Sequence, residues 1–165
     1  MLRNLFNRLL HALAFNIPCG WSIRPKLHRL RGVKIGDHVW ISKRVYIDEL
    51  HPDAVTIGNN CSIGLRTSII THLYWGPRKM GSGIGPIVIE KDVFIGPHCV
   101  ILPNVHIGEG SVIVGGTVVS RNVPPHTLWG PAPAAALGEV SVTLTPDHTY
   151  EQFLSGLKLR RHPHG

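Results

Sequence analysis

The chain has 165 residues, 43% of them hydrophobic, and a formal net charge of +7. That length fits one domain. The positive balance suits an anionic partner: nucleic acid, anionic lipid or a phosphate-bearing small molecule, against the plainer reading of a basic surface with no single partner.

Residues 1–16 place Leu2, Leu5, Phe6, Leu9, Leu10 and Leu13 on one helical face. Arg3, Asn4, Asn7, Arg8 and His11 lie elsewhere on it. The run is too short and too interrupted to span a bilayer, and Arg8 splits the apolar core a signal peptide needs. The spacing predicts a helix packed on its own fold or on a neighbouring subunit, with peripheral contact to an anionic membrane surface as the alternative. Pro18, Gly20 and Pro25 predict a linker, so residues 1–30 read as helix plus linker.

From residue 33 a strict period of six takes over. Residues 33–50 put Ile35, Ile41 and Ile47 at the third position of successive hexads. Residues 51–54 are a short bulge. Residues 55–72 continue with Ile57, Ile63 and Ile69, and residues 87–122 with Ile89, Ile95, Ile101, Ile107, Ile113 and Val119. Neither a helix near 3.6 nor a plain strand near 2 repeats at six. A parallel β-helix does, with short strands coiling around one core. Twelve hexads at three per turn give four triangular turns, a prism about 19 Å tall. Cys61 and Cys99 fall at the inward first position and read as small buried thiols; Cys19 lies outside the repeat. Three cysteines with no pairing logic point to a reducing, cytoplasmic compartment. Trp40, Tyr46 and Phe94 face outward by register and suit subunit contact.

One long excursion breaks the count. Residues 73–86 combine Tyr74, Trp75, Arg78 and Lys79 with four glycines. A regular prism gains nothing from such a loop, and loops on rigid scaffolds often carry function. His72 stands where it begins. Asp48 occupies a fourth position, where this repeat often has glycine; it reads either as a contact for a sugar hydroxyl or as a corner residue bonding a turn amide. Thr145-Pro146-Asp147 predicts the start of a helix through EQFLSGLKLRR, making residues 138–165 a helical tail that covers the end of the prism.

Over roughly residues 33–137 this pattern resembles the hexapeptide-repeat acyltransferases, and among them the small O-acetyltransferases of sugars and polysaccharide intermediates. The resemblance implies an all-β fold, a left-handed parallel β-helix; general crossover rules would favour the right-handed connection, so the hand comes from the resemblance alone. It implies acetyl coenzyme A as donor, no metal, a homotrimer with active sites between prisms, and no nucleic acid. In the family a catalytic histidine ends a hexad just before such a loop, which is the place of His72. Many members set it two residues later, where this chain has Tyr74; others share the arrangement Ile69-Ile70-Thr71-His72. A thioester is already activated, so a neutral imidazole need only take the acceptor's proton, while a backbone N–H stabilises the oxyanion.

The stretch VIVGGTVVSRNVPP resembles the family's coenzyme A site. By position Pro97, Gly115 and Gly116 would flank the pantetheine arm, and Ser120 and Arg121 the nucleotide, with Arg121 in place of the usual lysine. WGPAPAAAL resembles the closing motif that flanks the adenine, bringing in Pro133 and Ala134. It departs from that motif at Pro131 and at Ala135, where lysine or arginine is usual. Tyr74 and Trp75, with Asp48, would contact the acceptor. Other acceptors stay open: an antibiotic, serine or an amino sugar. So does a zinc-dependent β-helix like the carbonic anhydrases, for which His72, His98 and His106 are the candidate ligands.

Overall fold

A computed structural model of the chain describes residues 2–72, 84–131, 138–141 and 149–159. The chain forms two compact units, Met1–Pro131 and Ala132–Gly165. In the first, the hexads become strands of two or three residues. They are β1 (Lys34–Ile35), β2 (Trp40–Ile41), β3 (Tyr46–Ile47), β4 (Val55–Ile57), β5 (Ser62–Ile63), β6 (Ser68–Ile69) and β7 (Ile87–Ile89). After them come β8 (Phe94–Ile95), β9 (Val100–Ile101), β10 (His106–Ile107), β11 (Val112–Ile113), β12 (Val118–Val119) and β13 (Leu128–Trp129). Each pairs in parallel with the strand one turn away, giving three sheets in the orders β1-β4-β7-β10, β13-β11-β8-β5-β2 and β12-β9-β6-β3. The fold is a left-handed parallel β-helix. It has the expected four turns and a further strand, β13, whose Leu128 sits opposite Val112.

The hexad explains the corners. Its sixth residue turns the chain through the left-handed region, as at His38, Arg44, Asn60, Arg66, Asp92, His98, Asn104 and Gly116. Asn and Asp tolerate that region and glycine adopts it freely. From Ile41 onward the third-position isoleucines are fully buried and stack in one continuous core, with Ile35 partly buried at its edge. Truncating any of them to alanine costs about 2–5 kcal/mol. Polar first positions are satisfied in place: Thr67 Oγ1 donates to Gly96 O (3.0 Å) and Ser111 Oγ to Pro124 O (2.8 Å). Cys61 and Cys99 are buried free thiols, held protonated by that burial.

The N-terminal segment is more ordered than its prolines suggest. Helix α1 (Leu2–Asn16) is followed not by a linker alone but by a second helix, α2 (Ile23–Leu30). Pro25 lies in its first turn, where a missing N–H has no intrahelical partner to lose. Arg24 ties this segment down, donating from Nε to Ile17 O (2.8 Å) and from Nη1 to Ile41 O (2.7 Å). The helices also alter the expected outer faces. Trp40 meets Trp21 edge-on at 5.1 Å and Tyr46 meets His11 at 5.1 Å, so the unit's own N-terminus occupies both. Phe94 remains half-exposed, in one register column with exposed Val112 and Leu128.

The second unit departs from a plain helical tail. Helix α3 (Tyr150–Ser155) ends at Gly156, and Leu157–Leu159, read as more helix, is instead strand β15, antiparallel to β14 (Gly138–Val140). The start predicted at Thr145-Pro146-Asp147 lies outside the described residues.

A buried cation joins the helices to the first turn. Arg31 donates from Nη1 to Nδ1 of His11 (3.1 Å) and His28 (2.9 Å), and from Nη2 to the carbonyls of Ile47 (3.0 Å) and Asp48 (2.7 Å). A guanidinium only donates, so each ring's Nδ1 carries a lone pair and each proton sits on Nε2. Burial, reinforced by the Arg31 charge, lowers His11 to about 4 and His28 to about 3. Burial also lowers Arg31 to about 10, against the pull of Glu49, and it stays cationic at neutral pH.

Unfolded histidines titrate near 6.5, so between there and about 3 the unfolded chain binds protons that the fold refuses. Stability is complete above that window and falls as pH drops through it, by up to about 1.4 kcal/mol per pH unit for each ring. The melting temperature should decline steadily from about pH 7 to about pH 4, and His28→Gln, which keeps an acceptor for Arg31, should flatten the decline. A melting temperature constant across that range contradicts this account.

Candidate active site

His72 ends the hexad 67–72, at the corner following β6. The excursion leaves and returns here. His72 and Ile84 form an antiparallel bridge, and Gly85 N donates to Thr71 O (2.7 Å). A Cβ on Gly85 would lie 2.7 Å from Asn104 N, so the return strand can seat against the next turn only as glycine.

Asp48 occupies the same corner one turn earlier, its N–H donating to Ile69 O (3.0 Å). Its carboxylate is fully buried. Oδ2 accepts from His72 Nδ1 (2.5 Å), Thr71 Oγ1 (2.7 Å) and Thr71 N (3.0 Å). Oδ1 accepts from Leu50 N (2.9 Å) and His51 N (3.1 Å). Burial alone would raise this carboxyl; the bonds from Thr71, His51 and Leu50 outweigh it and hold the group below the usual carboxylate range. An ionised carboxylate only accepts, so in the neutral His72 ring the proton lies on Nδ1 and the lone pair on Nε2. The His51 ring stands edge-on 6.0 Å away.

Of the two readings of Asp48, the structure shows the corner residue that bonds turn amides, at Leu50 N and His51 N. Both oxygens are buried and engaged by five donors, and one of these is His72 Nδ1. Arg31, which the hexad pattern could not flag because it precedes the repeat, grips the Asp48 carbonyl from the far side. Thr71 was equally hidden: it stands at the fifth, corner position of its hexad, and only the structure reveals its burial and the bond to Asp48.

The candidate cofactor residues gather two turns further along. Gly116, Ser120 and Arg121 line one groove with Thr117, Val118, Trp129, Gly130 and Pro131. The Arg121 guanidinium lies 5.5 Å over the Trp129 ring. Gly116 has φ +76° and nothing within 4 Å of where a Cβ would stand, so the groove is open above it. Gly116 N donates to Pro97 O (2.8 Å), and Gly115 packs against Pro97. Pro97 and Gly115 thus support the corner without lining the groove. Ser120 follows β12, in the same corner column as His72 and two strand spacings away, about 10 Å. A cation on an aromatic plane, beside an open glycine, fits a nucleotide-bearing thioester with its phosphates. Trp129 was legible only as part of the closing motif. Tyr74, Trp75, Pro133 and Ala134 lie outside the described residues.

For the zinc alternative, the described residues contain no group of three His, Cys, Asp or Glu side chains placed to hold a metal. His72 bonds Asp48, His98 forms the corner between β8 and β9, and His106 Nε2 lies 2.9 Å from Glu90 on another face.

Comparison with known proteins converges on one group. Residues 86–121 match the family model described as bacterial transferase hexapeptide (six repeats), and residues 54–73 that of the hexapeptide repeat of succinyl-transferase. The crystal structure of a hexapeptide-repeat acetyltransferase from Vibrio cholerae, complexed with acetyl coenzyme A, superposes with a TM-score of 0.64 at 28% identity. It covers 81% of this chain and 85% of that one. YvoF of Bacillus subtilis is 34% identical over 101 residues, 61% of this chain and 57% of its own length. Serine acetyltransferase 4 of Arabidopsis thaliana is 28% identical over 137 residues, 80% of this chain and 38% of its own length. The chain therefore spans about half or less of the curated relatives it matches.

The tautomer is directly measurable. Nitrogen-15 NMR of the native chain should show His72 as the Nδ1–H form, and Asp48→Ala should abolish that preference. A His72 ring protonated on Nε2 in the native chain contradicts the geometry.

Proposed function

We propose that this chain is a hexapeptide-repeat acyltransferase that transfers acetyl from acetyl coenzyme A to a hydroxyl of a saccharide, with His72 as general base. The observation that carries the reading is the pairing of His72 with the buried carboxylate of Asp48 at the neck of the excursion. Asp48 keeps the proton on Nδ1 and directs the Nε2 lone pair to the acceptor. The hydroxyl proton passes to Nε2 as the oxygen bonds the acetyl carbon, and returns to the thiolate when the carbon–sulfur bond breaks. The buried Asp48 charge stabilises the imidazolium formed between these events. Bound acetyl coenzyme A supplies the activated thioester. Arg121 would meet its phosphates and Trp129 its adenine side, with Gly116 leaving room for the pantetheine arm.

The saccharide acceptor is supported by sequence: the segment leaving His72 carries Tyr74 and Trp75, whose faces suit a sugar ring. The likeness to a serine acetyltransferase supports a second reading, with serine as acceptor. Acetyl coenzyme A as donor and the buried free thiols support a cytoplasmic site of action. A homotrimer suits the stripe of Phe94, Val112 and Leu128, an apolar column on one flat sheet face that a neighbouring prism would cover.

Thiol release from acetyl coenzyme A should depend on an added sugar acceptor, and His72→Ala should lower it by about 10²–10⁴-fold. Full activity in His72→Ala overturns the base; turnover with serine and not with sugars selects the second reading. Leu128→Glu should convert the trimer to monomers in sedimentation, and an unchanged mass would reject that face as the interface.

A further inference from the structure

Helix α1 is mounted with its apolar side outward. Among its residues from Leu5 onward, those it buries are Asn7, Leu10, His11 and Ala14. Leu5, Phe6, Leu9 and Leu13 are each more than half exposed. At about 100° per residue these four share one sector of about 100°. The inner face has its own reason: His11 must reach Arg31. Nothing of that kind accounts for the outer one. The pattern continues past the helix. Trp21 is 63% exposed, and α2 presents Ile23 and Leu30 outward with Lys26 on the same side.

Charge is distributed just as unevenly. Residues 1–36 contain Arg3, Arg8, Arg24, Lys26, Arg29, Arg31 and Lys34 and no Asp or Glu. The ten remaining Lys and Arg are balanced by ten Asp and Glu, so the whole net charge of +7 belongs to this segment. Arg24 and Arg31 are buried in structural bonds, whereas Arg8, Lys26, Arg29 and Lys34 are exposed, Arg8 lying 3.8 Å from Glu49 and Arg29 donating to the carbonyls of Ile35 and Gly36.

We propose that the outer surface of α1 and α2 docks on an anionic phospholipid bilayer. Leu5, Phe6, Leu9 and Leu13 enter the boundary between headgroups and acyl chains, Trp21 sits at headgroup level, and the exposed Arg and Lys meet lipid phosphates. No helix among the described residues is long and apolar enough to cross a membrane, so the contact is peripheral. A second copy of the chain is the less suitable occupant. A symmetric contact through this segment would bring two net cationic surfaces together, whereas anionic lipid neutralises them. This inference stands on the exposed faces and the charge and does not depend on the acetyl-transfer reading.

The test is co-sedimentation of the full chain with vesicles of phosphatidylcholine alone and of phosphatidylcholine mixed with phosphatidylglycerol. The native chain should sediment with the mixed vesicles and not with the neutral ones. Leu9→Glu combined with Leu13→Glu should weaken that binding at least about tenfold with an unchanged melting temperature. Should the pair perturb folding, Lys26→Glu, on an exposed position, should still weaken binding about tenfold. Absence of sedimentation with anionic vesicles overturns the proposal, as does undiminished binding in the folded variants. Undiminished binding with a smaller oligomer in Leu9→Glu/Leu13→Glu would assign the face to a second copy.

Discussion

A carboxylate with no access to water has to be fully satisfied or it will not stay ionised. Asp48 meets that requirement with five donors, drawn from its own corner and from the corner one turn above. The same residue's carbonyl is held by a buried guanidinium from the segment before the repeat. One residue therefore fastens the N-terminal helices, the first turn and the second turn together. Its remaining free choice, the direction of Oδ2, is used to fix an imidazole. The two histidines beneath Arg31 are kept neutral by burial, so the guanidinium faces the Asp48 carboxylate and Glu49 rather than further cations.

The arrangement divides labour along the prism. The second turn carries His72, the proposed base, and the fourth turn carries the groove of Gly116, Ser120, Arg121 and Trp129. Strand stacking at a fixed spacing makes their separation a property of the coil rather than of any loop. A long flexible arm with a reactive end, anchored at the fourth turn, has its natural reach toward the second. The N-terminal helices serve the opposite end, supporting Asp48 from within while turning their apolar faces away from the coil.

Much of this was legible in the residues. A period of six fixed the inward positions, and Ile47, Ile69 and Ile101 stack as that count requires. His72 stood out because the period stops beside it. What periodicity could not carry was any contact between residues of different pattern. Arg31 precedes the first hexad, and its burial depends on helices whose packing face is polar. Asp48 was visible as an exception to glycine, yet its direction was not, and a side chain turned inward reads the same as one turned out. Pro25 argued for a linker because a proline's cost depends on where a helix begins, which the prolines around it obscured. Leu157–Leu159 continued a helical pattern, but pairing with Gly138–Val140 overrode local preference. Strand β13 lay beyond Asn122, where the count of six had already lapsed.

The claim at the centre is that Asp48 serves catalysis only through His72. A double-mutant cycle on acetyl transfer tests it most directly. Asp48→Asn should lower kcat with little change in KM for acetyl coenzyme A, and in the His72→Ala background the same substitution should cost nothing further. Losses that multiply in the double variant, as for two residues acting separately, would contradict the account.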